Sequence, residues 1–335
     1  MLRPPVTIPI AFVRGMVSGV QARGLASEPL LVEAGIAPEL LREPSALVTA
    51  DQYVALFQLL MDRFDDECLC FLSRPLKRGS LALMARSAIS ATTLDVAIRR
   101  MAHTLRLLQD DVVLEPARDG DLAGLMFRFA QPARAQLTFL HELLLRIFWR
   151  ALAWLVGGQL PAARFDFAFE SPAYAGSYGK VFPAPLRFGC GHSAFWFDVK
   201  HLQSPVRRDE AALRSFLADA RAQVIVPGRG DDLLSTRVRS HLQHAQPAWP
   251  DLIATADALH MSSSTLQRRL ANEGTTFQSL KDELRRDTAI VRLNTSAVPL
   301  GALAFELGFA DSAAFQRAFK GWTGSAPGAY RRSGA

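Results

Sequence analysis

Near the C-terminus the same dipeptide occurs twice in similar surroundings, as Gln267-Arg268 and as Gln316-Arg317. A glutamine amide can donate to and accept from one adenine, and an arginine guanidinium can bond both major-groove acceptors of a guanine. Either side chain can instead hold a phosphate, which positions a protein on DNA without reading sequence. Each dipeptide follows short hydroxyl side chains, Ser263 and Ser264 in the first case and Ser312 in the second. One such pair on a helix is as readily a plain solvated face as a reading head. The repetition gives it weight.

The elements that must carry these residues are themselves duplicated. Leu252, Ala256 and Leu259 recur 48 positions later as Leu300, Ala304 and Leu307. Leu266-Gln267-Arg268-Arg269-Leu270 recurs 49 positions later as Phe315-Gln316-Arg317-Ala318-Phe319, so the second turn is one residue longer. Each copy predicts a short helix, a tight turn and a second helix. Ser262-Ser263-Ser264 opens the second helix in one copy and Asp311-Ser312 in the other, both good caps. Ala256 and Ala304 stand where two steeply crossing helices need a small side chain, and Gly308 where the chain must turn left-handed. Leu266 and Leu270, like Phe315 and Phe319, are four apart and predicted to face inward. Ser263, Ser264, Gln267, Arg268, Ser312, Gln316 and Arg317 are left facing out. That is a helix-turn-helix pattern, twice. A helix predicted from Phe277 to Leu293 spaces the two copies, with Lys281, Arg285, Arg286 and Arg292 divided between phosphate contact and plain surface.

Upstream the pattern differs. Residues 10–24, 27–42, 50–64 and 92–109 place apolar side chains at helical spacing, punctuated by Pro29, Gly35, Pro38 and Pro44. Val112-Val113-Leu114 and Gly124 to Phe129 flank Asp119-Gly120-Asp121, a hairpin signal. A long helix over 133–157, an alternating strand from Arg164 to Phe169, a short helix over 174–181 and strands at Leu186–Phe188 and Ala194–Phe197 follow. The reading is an α+β domain, helices plus a small antiparallel sheet, over 1–205. A connector over 206–232 joins it to an all-α domain over 233–335 that holds the two helix-turn-helix units. The connector contains an amphipathic stretch at 209–223 and the linker-like run from Val226 to Asp232.

Bulk properties bound the function less tightly. The 335 residues carry a net charge of +6 and 49% are hydrophobic, a composition suited to packed cores. Residues 231–335 hold 12 Lys and Arg against 10 Asp and Glu, only +2, so charge alone does not argue for DNA. Cys68, Cys70 and Cys190 are too few for a disulfide framework and lack metal-ligand spacing; Cys68 and Cys70 read as core fillers. Pro9 and Arg14 spoil the N-terminal apolar run as a signal peptide. The longest apolar segment, Leu137 to Val156, contains Glu142, Arg146 and Arg150, which predicts a buried amphipathic helix rather than a membrane span. A cytoplasmic protein with no membrane association is expected.

On Thr265 to Leu270 with Glu273-Gly274, and on Leu303 to Phe309, Ser312, Phe315 to Lys320 and Gly324 to Arg332, the chain resembles the AraC/XylS family of bacterial transcription factors. The resemblance spans about 235–332 and implies seven helices, the third and sixth of which enter successive major-groove segments. By position it assigns base reading to Ser264, Gln267, Arg268, Ser312, Gln316 and Arg317. His260 departs from the pattern, standing where the second copy has Gly308. A non-glycine residue held left-handed there costs about 1 kcal/mol. Less specifically, Arg78 to Leu83, Thr93 to Ala97, Leu105 to Leu108, Phe188-Gly189 and Phe197-Asp198 resemble a helix-rich sensor domain of one branch, labelled arabinose-binding. The label implies a role, effector binding or dimerisation, and not a ligand.

The resemblance implies double-stranded operator DNA, RNA polymerase and a second copy of the chain as partners, a small-molecule effector, and activation as the usual outcome. The alternative is an N-terminal domain that binds no ligand and serves only dimerisation or protein contact. No nucleophile elbow, phosphate loop, dinucleotide fingerprint or metal cluster occurs, so neither catalytic residues nor cofactor nor metal is expected. An enzyme fused to a DNA-binding half would have to use Cys190. For the effector, Thr138, Glu142, Arg146 and Arg150 make one polar stripe four residues apart on the long helix. It is either a narrow solvent face with an ion pair, or the wall of a site in which Glu142, Arg146 and Arg150 bind an anionic effector such as a carboxylate.

Overall fold

The computed structural model describes residues 7–131, 137–158, 160–225 and 234–331. The predicted linker from Val226 to Asp232 and the first residues of the predicted 133–157 helix lie outside the described residues. The chain divides into two compact units, one of residues 14–30 and 54–228, the other of residues 1–13, 31–53 and 229–335. The helical spacing near the N-terminus is realised as α1 (Ile10–Gln21), α2 (Glu28–Glu33), α3 (Ala50–Phe64) and, after α4 (Ser80–Ile89), α5 (Leu94–Leu108). The predicted 27–42 helix is interrupted: Gly35 is left-handed at φ 73°, and only a short 3₁₀ helix (Pro38–Arg42) follows it.

In the first unit a five-stranded sheet packs with helices, the α+β architecture. The sheet order is β3-β4-β7-β5-β6, from β3 (Val112–Asp119), β4 (Leu122–Phe129), β5 (Arg164–Asp166), β6 (Leu186–Arg187) and β7 (Ser193–Asp198). The expected hairpin forms with Asp119 opposite Leu122, and Gly120 turns it at φ 56°. The small sheet is antiparallel at β3–β4, β4–β7 and β5–β7, as expected, and at its edge β6 joins β5 in parallel. The alternating run from Arg164 to Phe169 is also shorter as a strand, ending at Asp166. The central strand β7 is buried over Ser193 to Phe197, which leaves no solvent face to alternate with. The polar groups inside this sheet are satisfied. Trp196 Nε1 donates to Asp166 Oδ2 at 2.6 Å, and Arg164 Nε donates to Asp166 Oδ1 at 3.1 Å. Gly124 keeps β4 open to the Trp196 ring, which would lie 2.6 Å from a Cβ there.

The long helix, α6 (Thr138–Leu155), packs on this sheet through Phe148 against Phe127 and Trp149 against Phe165, with ring centroids 5.7 and 5.5 Å apart. Among the described residues no helix is long and apolar enough to cross a membrane. Helix α7 (Glu210–Ile225), in the stretch that the sequence assigns to a connector, packs into the unit through Leu213 and Phe216. Helix α4 is not legible locally because its cap is remote. Gly79 at its N-cap is left-handed and offers no side chain. Glu67, twelve residues upstream, supplies the carboxylate, accepting from Gly79 N and Leu81 N at 2.7 Å each.

The loop before α4 is organised by one buried carboxylate. Asp66 is fully buried and accepts from Cys68 N, Cys70 N and Leu76 N at 2.8–2.9 Å. Cys68 and Cys70 are buried, as core fillers should be. Asp66→Ala leaves these three amides unpaired away from water. The expected loss, at about 1–3 kcal/mol for each unpaired group, is about 3 kcal/mol or more in urea unfolding of the purified chain. A change below about 1 kcal/mol would mean that water replaces the carboxylate.

In the second unit the helices α8 (Leu234–His244), α9 (Leu252–Ala258), α10 (Ser263–Asn272), α11 (Phe277–Thr295), α12 (Leu300–Glu306) and α13 (Ser312–Thr323) follow one another, as the repeat predicts. The two-stranded ribbon β1 (Thr7–Pro9) with β2 (Leu47–Thr49) belongs to the same unit. Thr7 Oγ1 donates to Asp287 Oδ1 at 2.6 Å, Leu47 N to the Tyr330 hydroxyl at 3.1 Å, and Gln52 Nε2 to Asn294 Oδ1 at 2.9 Å. Ile8 and Val48, both under 2% exposed, supply its apolar face. Residues far apart in sequence thus complete the core around α11, a pairing that local periodicity does not reveal.

Candidate nucleic-acid interface

Each helix-turn-helix copy is built by the same local bonds. In the first, Met261 N bonds Ala256 O at 3.0 Å, and in the second Phe309 N bonds Ala304 O at 2.9 Å, closing equivalent turns 48 residues apart. The residue at the apex is left-handed in both, His260 at φ 57° and Gly308 at φ 74°. The conformation is therefore kept where glycine is not. Ala256 and Ala304 are 1% and 0% exposed, which lets the two helices of each copy approach.

The second helix of each copy starts on a side-chain cap. Ser262 Oγ accepts from Thr265 N at 3.3 Å ahead of α10, and Asp311 Oδ1 accepts from Ala314 N at 2.7 Å ahead of α13. Leu266 and Leu270 in α10, and Phe315 and Phe319 in α13, are fully buried. The opposite face carries the reading candidates. Ser264, Gln267, Arg268, Gln316 and Arg317 are exposed, while Ser263 and Ser312, in the first turns, are half-buried. Gln316 Nε2 lies 3.2 Å from Ser312 Oγ, so these two already share one polar surface. The structure thus brings Ser263, Ser264, Gln267 and Arg268 together on one helix, and Ser312, Gln316 and Arg317 on the other. Arg269 and Lys320 are exposed beside them.

The cations of α11 behave differently from the expectation of mixed phosphate contact and surface. Lys281 Nζ donates to Trp249 O and Pro250 O at 2.9 and 3.0 Å. The Arg285 guanidinium lies over two rings, 5.2 Å from the centroid of Trp249 and 5.1 Å from that of Phe309. Arg286 pairs with Asp287 at 2.9 Å and Arg292 with Glu306 at 3.0 Å. Their bonds are made within the unit: Lys281 and Arg285 hold the segment just before the first copy, Arg285 and Arg292 reach the second copy, and Arg286 pairs within α11 itself. Burial pushes the Lys281 and Arg285 pKa values down, as expected for cations taken partly out of water. Nothing in the repeats points to Trp249, which sits outside both. Its indole Nε1 donates to Glu306 O at 2.8 Å, tying the segment that leads into the first copy to the second. Glu273 likewise acts at a distance, capping α8 by accepting from Leu234 N and Ser235 N at 2.8 and 2.9 Å.

The polar stripe on α6 is not a solvent face. Glu142 is 4% and Arg146 7% exposed, while Arg150 is half-buried beside the Trp149 ring. Glu142 Oε1 accepts from the hydroxyls of Tyr174, at 2.9 Å, and Tyr178. Its Oε2 has no hydrogen-bond partner among the described residues. Burial pushes the Glu142 carboxyl up to about 7, against the pull of the two tyrosine hydroxyls. Arg146 Nη1 donates to Val181 O at 3.0 Å. Cys190, half-buried, has the Phe188 carbonyl within reach, at 3.9 Å, which provides no activating base.

Family models, curated relatives and solved structures are similar to this chain. Residues 24–206 match the model of the arabinose-binding domain of AraC transcription regulators, N-terminal, and residues 255–333 match a helix-turn-helix domain model. The ornithine utilization regulator of Pseudomonas aeruginosa is 28% identical over 333 residues, covering 97% of this chain and 96% of that protein. The HTH-type transcriptional regulator VqsM of the same organism is 35% identical over 100 residues, 30% of this chain and 31% of its own. The crystal structure of the transcriptional regulator CdpR from Pseudomonas aeruginosa aligns over 96% of this chain and 98% of its own, at 20% identity and a TM-score of 0.33.

The two turn apices make a paired test of backbone strain. Gly308→Ala is expected to cost about 1–2 kcal/mol for the left-handed conformation, and more if the ring cannot give, since a Cβ there lies 3.1 Å from Trp249 Cδ1. His260→Ala, also left-handed but already bearing a Cβ, is expected to be close to neutral. Chemical unfolding of both variants checks this; equal costs would mean that the turns are not equivalent.

Proposed function

The chain belongs to the AraC family of transcription regulators, and we propose that it reads an operator through α10 and α13 under the control of a small molecule held by its N-terminal domain. DNA binding and transcription regulation are the family's work, and neither the family nor the relatives named above are enzymes. The observation that carries the reading is the duplicated turn presenting an outward Gln-Arg pair after a capped helix start, twice. Gln267 and Gln316 suit adenine, Arg268 and Arg317 suit guanine, and Ser263, Ser264 and Ser312 suit either a base edge or a phosphate. Helix α11, 19 residues and so about 28 Å long, has the length to space two such helices along one side of a duplex.

The protein then acts in the cytoplasm as an activator that recruits RNA polymerase, with a homodimer as the natural reader of repeated sites. Effector binding is assigned to the Glu142, Arg146 and Arg150 stripe. A buried carboxylate oxygen without a partner suits a ligand donor, and the arginines suit a ligand carboxylate. A small metabolite with both groups fits that chemistry. The full-length relative named for ornithine utilization supports a role beside a metabolic gene set.

Arg268→Ala or Arg317→Ala is expected to weaken binding to the operator by about 1–3 kcal/mol, while affinity for random DNA changes much less. Fluorescence anisotropy with both duplexes decides. A loss equal on the two would leave phosphate contact and remove base reading. Arg146→Met is expected to abolish the inducer response of a reporter while operator binding without inducer persists; an unchanged response sinks the effector assignment.

A further inference from the structure

Helix α6 has a second face. At roughly 100° per residue, Leu144 and Phe148 lie about 160° and about 120° around the helix from Glu142, and there a cavity of about 470 Å³ opens in the unit of residues 14–30 and 54–228. Its walls come from Ala82 and Met84 on α4, Leu144, Ile147 and Phe148 on α6, and Leu217 on α7. Close-packed interiors leave few voids larger than a water molecule, whereas small-molecule sites occupy about 300–1,000 Å³.

The polar groups at its rim are already engaged. Arg78 Nη1 pairs with Asp62 at 3.0 Å, Lys77 Nζ stands 4.0 Å from Asp65, and Glu67 spends its carboxylate on the amides of Gly79 and Leu81 at 2.7 Å. These charges sit at the exposed rim, each with a partner among the described residues, while the walls further in are apolar, and burying an unpaired charge against them is costly. From the apolar walls and the partnered rim we infer that this cavity is a binding site for an uncharged, predominantly apolar small molecule. The site goes beyond the stripe assigned to the effector, standing on the other side of the same helix with the opposite chemistry. Its occupant touches Leu217, and so adds apolar contact to α7, which is held to the unit by Phe216 stacked on Trp154 at 4.4 Å. Helix α7 is also the last element before the segment leading to the DNA-binding half.

N-phenyl-1-naphthylamine, a neutral fluorophore that brightens in apolar surroundings, probes the site in the full-length protein. The expected result is saturable binding at one site per chain, weakened at least tenfold in Ala82→Phe, which fills the cavity from α4. Leu217→Phe fills it from α7 and is expected to do the same, keeping the test valid if one variant folds poorly by its melting curve. Leu83→Phe, on the exposed side of α4, is expected to bind as the parent does. No saturable binding to the parent, or binding unchanged in both cavity-filling variants, overturns the inference. Arg146→Met is expected to leave fluorophore binding intact; if it alone abolishes binding, the fluorophore sits at the stripe and the cavity assignment falls. Operator affinity measured on the same samples separates these outcomes from any failure of the DNA-reading assignment.

Discussion

The DNA-binding half depends on where one guanidinium rests. Arg285 of α11 lies between the faces of Trp249, before the first helix-turn-helix, and Phe309, in the turn of the second. A cation over aromatic rings is attracted to both, more strongly as water is excluded. The neighbouring bonds reinforce the same joint: Lys281 holds the carbonyls of Trp249 and Pro250, and the Trp249 indole holds that of Glu306. Two short helix pairs with small cores would otherwise be free to shift on either end of a 19-residue helix. A fixed mutual placement is what the proposed reading requires if both helix faces are to meet one duplex in register.

Internal ion pairs go with the small net charge of this unit. Several of its cations are consumed internally: Arg239 pairs with Glu283 and stands 3.6 Å from Asp287, and Arg292 pairs with Glu306. What remains exposed on α10 and α13 is a small set of side chains aimed outward. Placement, and not bulk charge, distinguishes this surface.

In the other unit the organising groups are buried carboxylates, and each is handled differently. Asp66 is saturated by three backbone amides and shapes a loop. Asp166 is saturated by Trp196 and Arg164 within the sheet. Glu142 is satisfied on one oxygen and not on the other, and burial raises its pKa toward neutrality. A buried acceptor left open in an otherwise paired interior is the kind of feature that packing for stability alone would discard. Its position four residues before a buried arginine gives the stripe its chemical interest.

Features that depend on near neighbours are readable from the chain alone. Helix caps at Ser262 and Asp311, the small crossing residues Ala256 and Ala304, the turn at Gly308 and the inward Leu and Phe pairs all act within one or two helical turns, so their spacing reveals them. The hairpin at Asp119–Leu122 is legible for the same reason. Features set by residues distant in the chain emerge only on folding. Glu67 starts a helix twelve positions on, Trp249 bonds the second repeat from outside both, and β1 and β2 bond partners more than two hundred residues away to complete their unit's core. The parallel β5–β6 pair and the inward turn of Glu142 and Arg146 are hidden likewise. Periodicity marks a face as polar or apolar, but which neighbour covers that face is fixed only when the whole chain has packed.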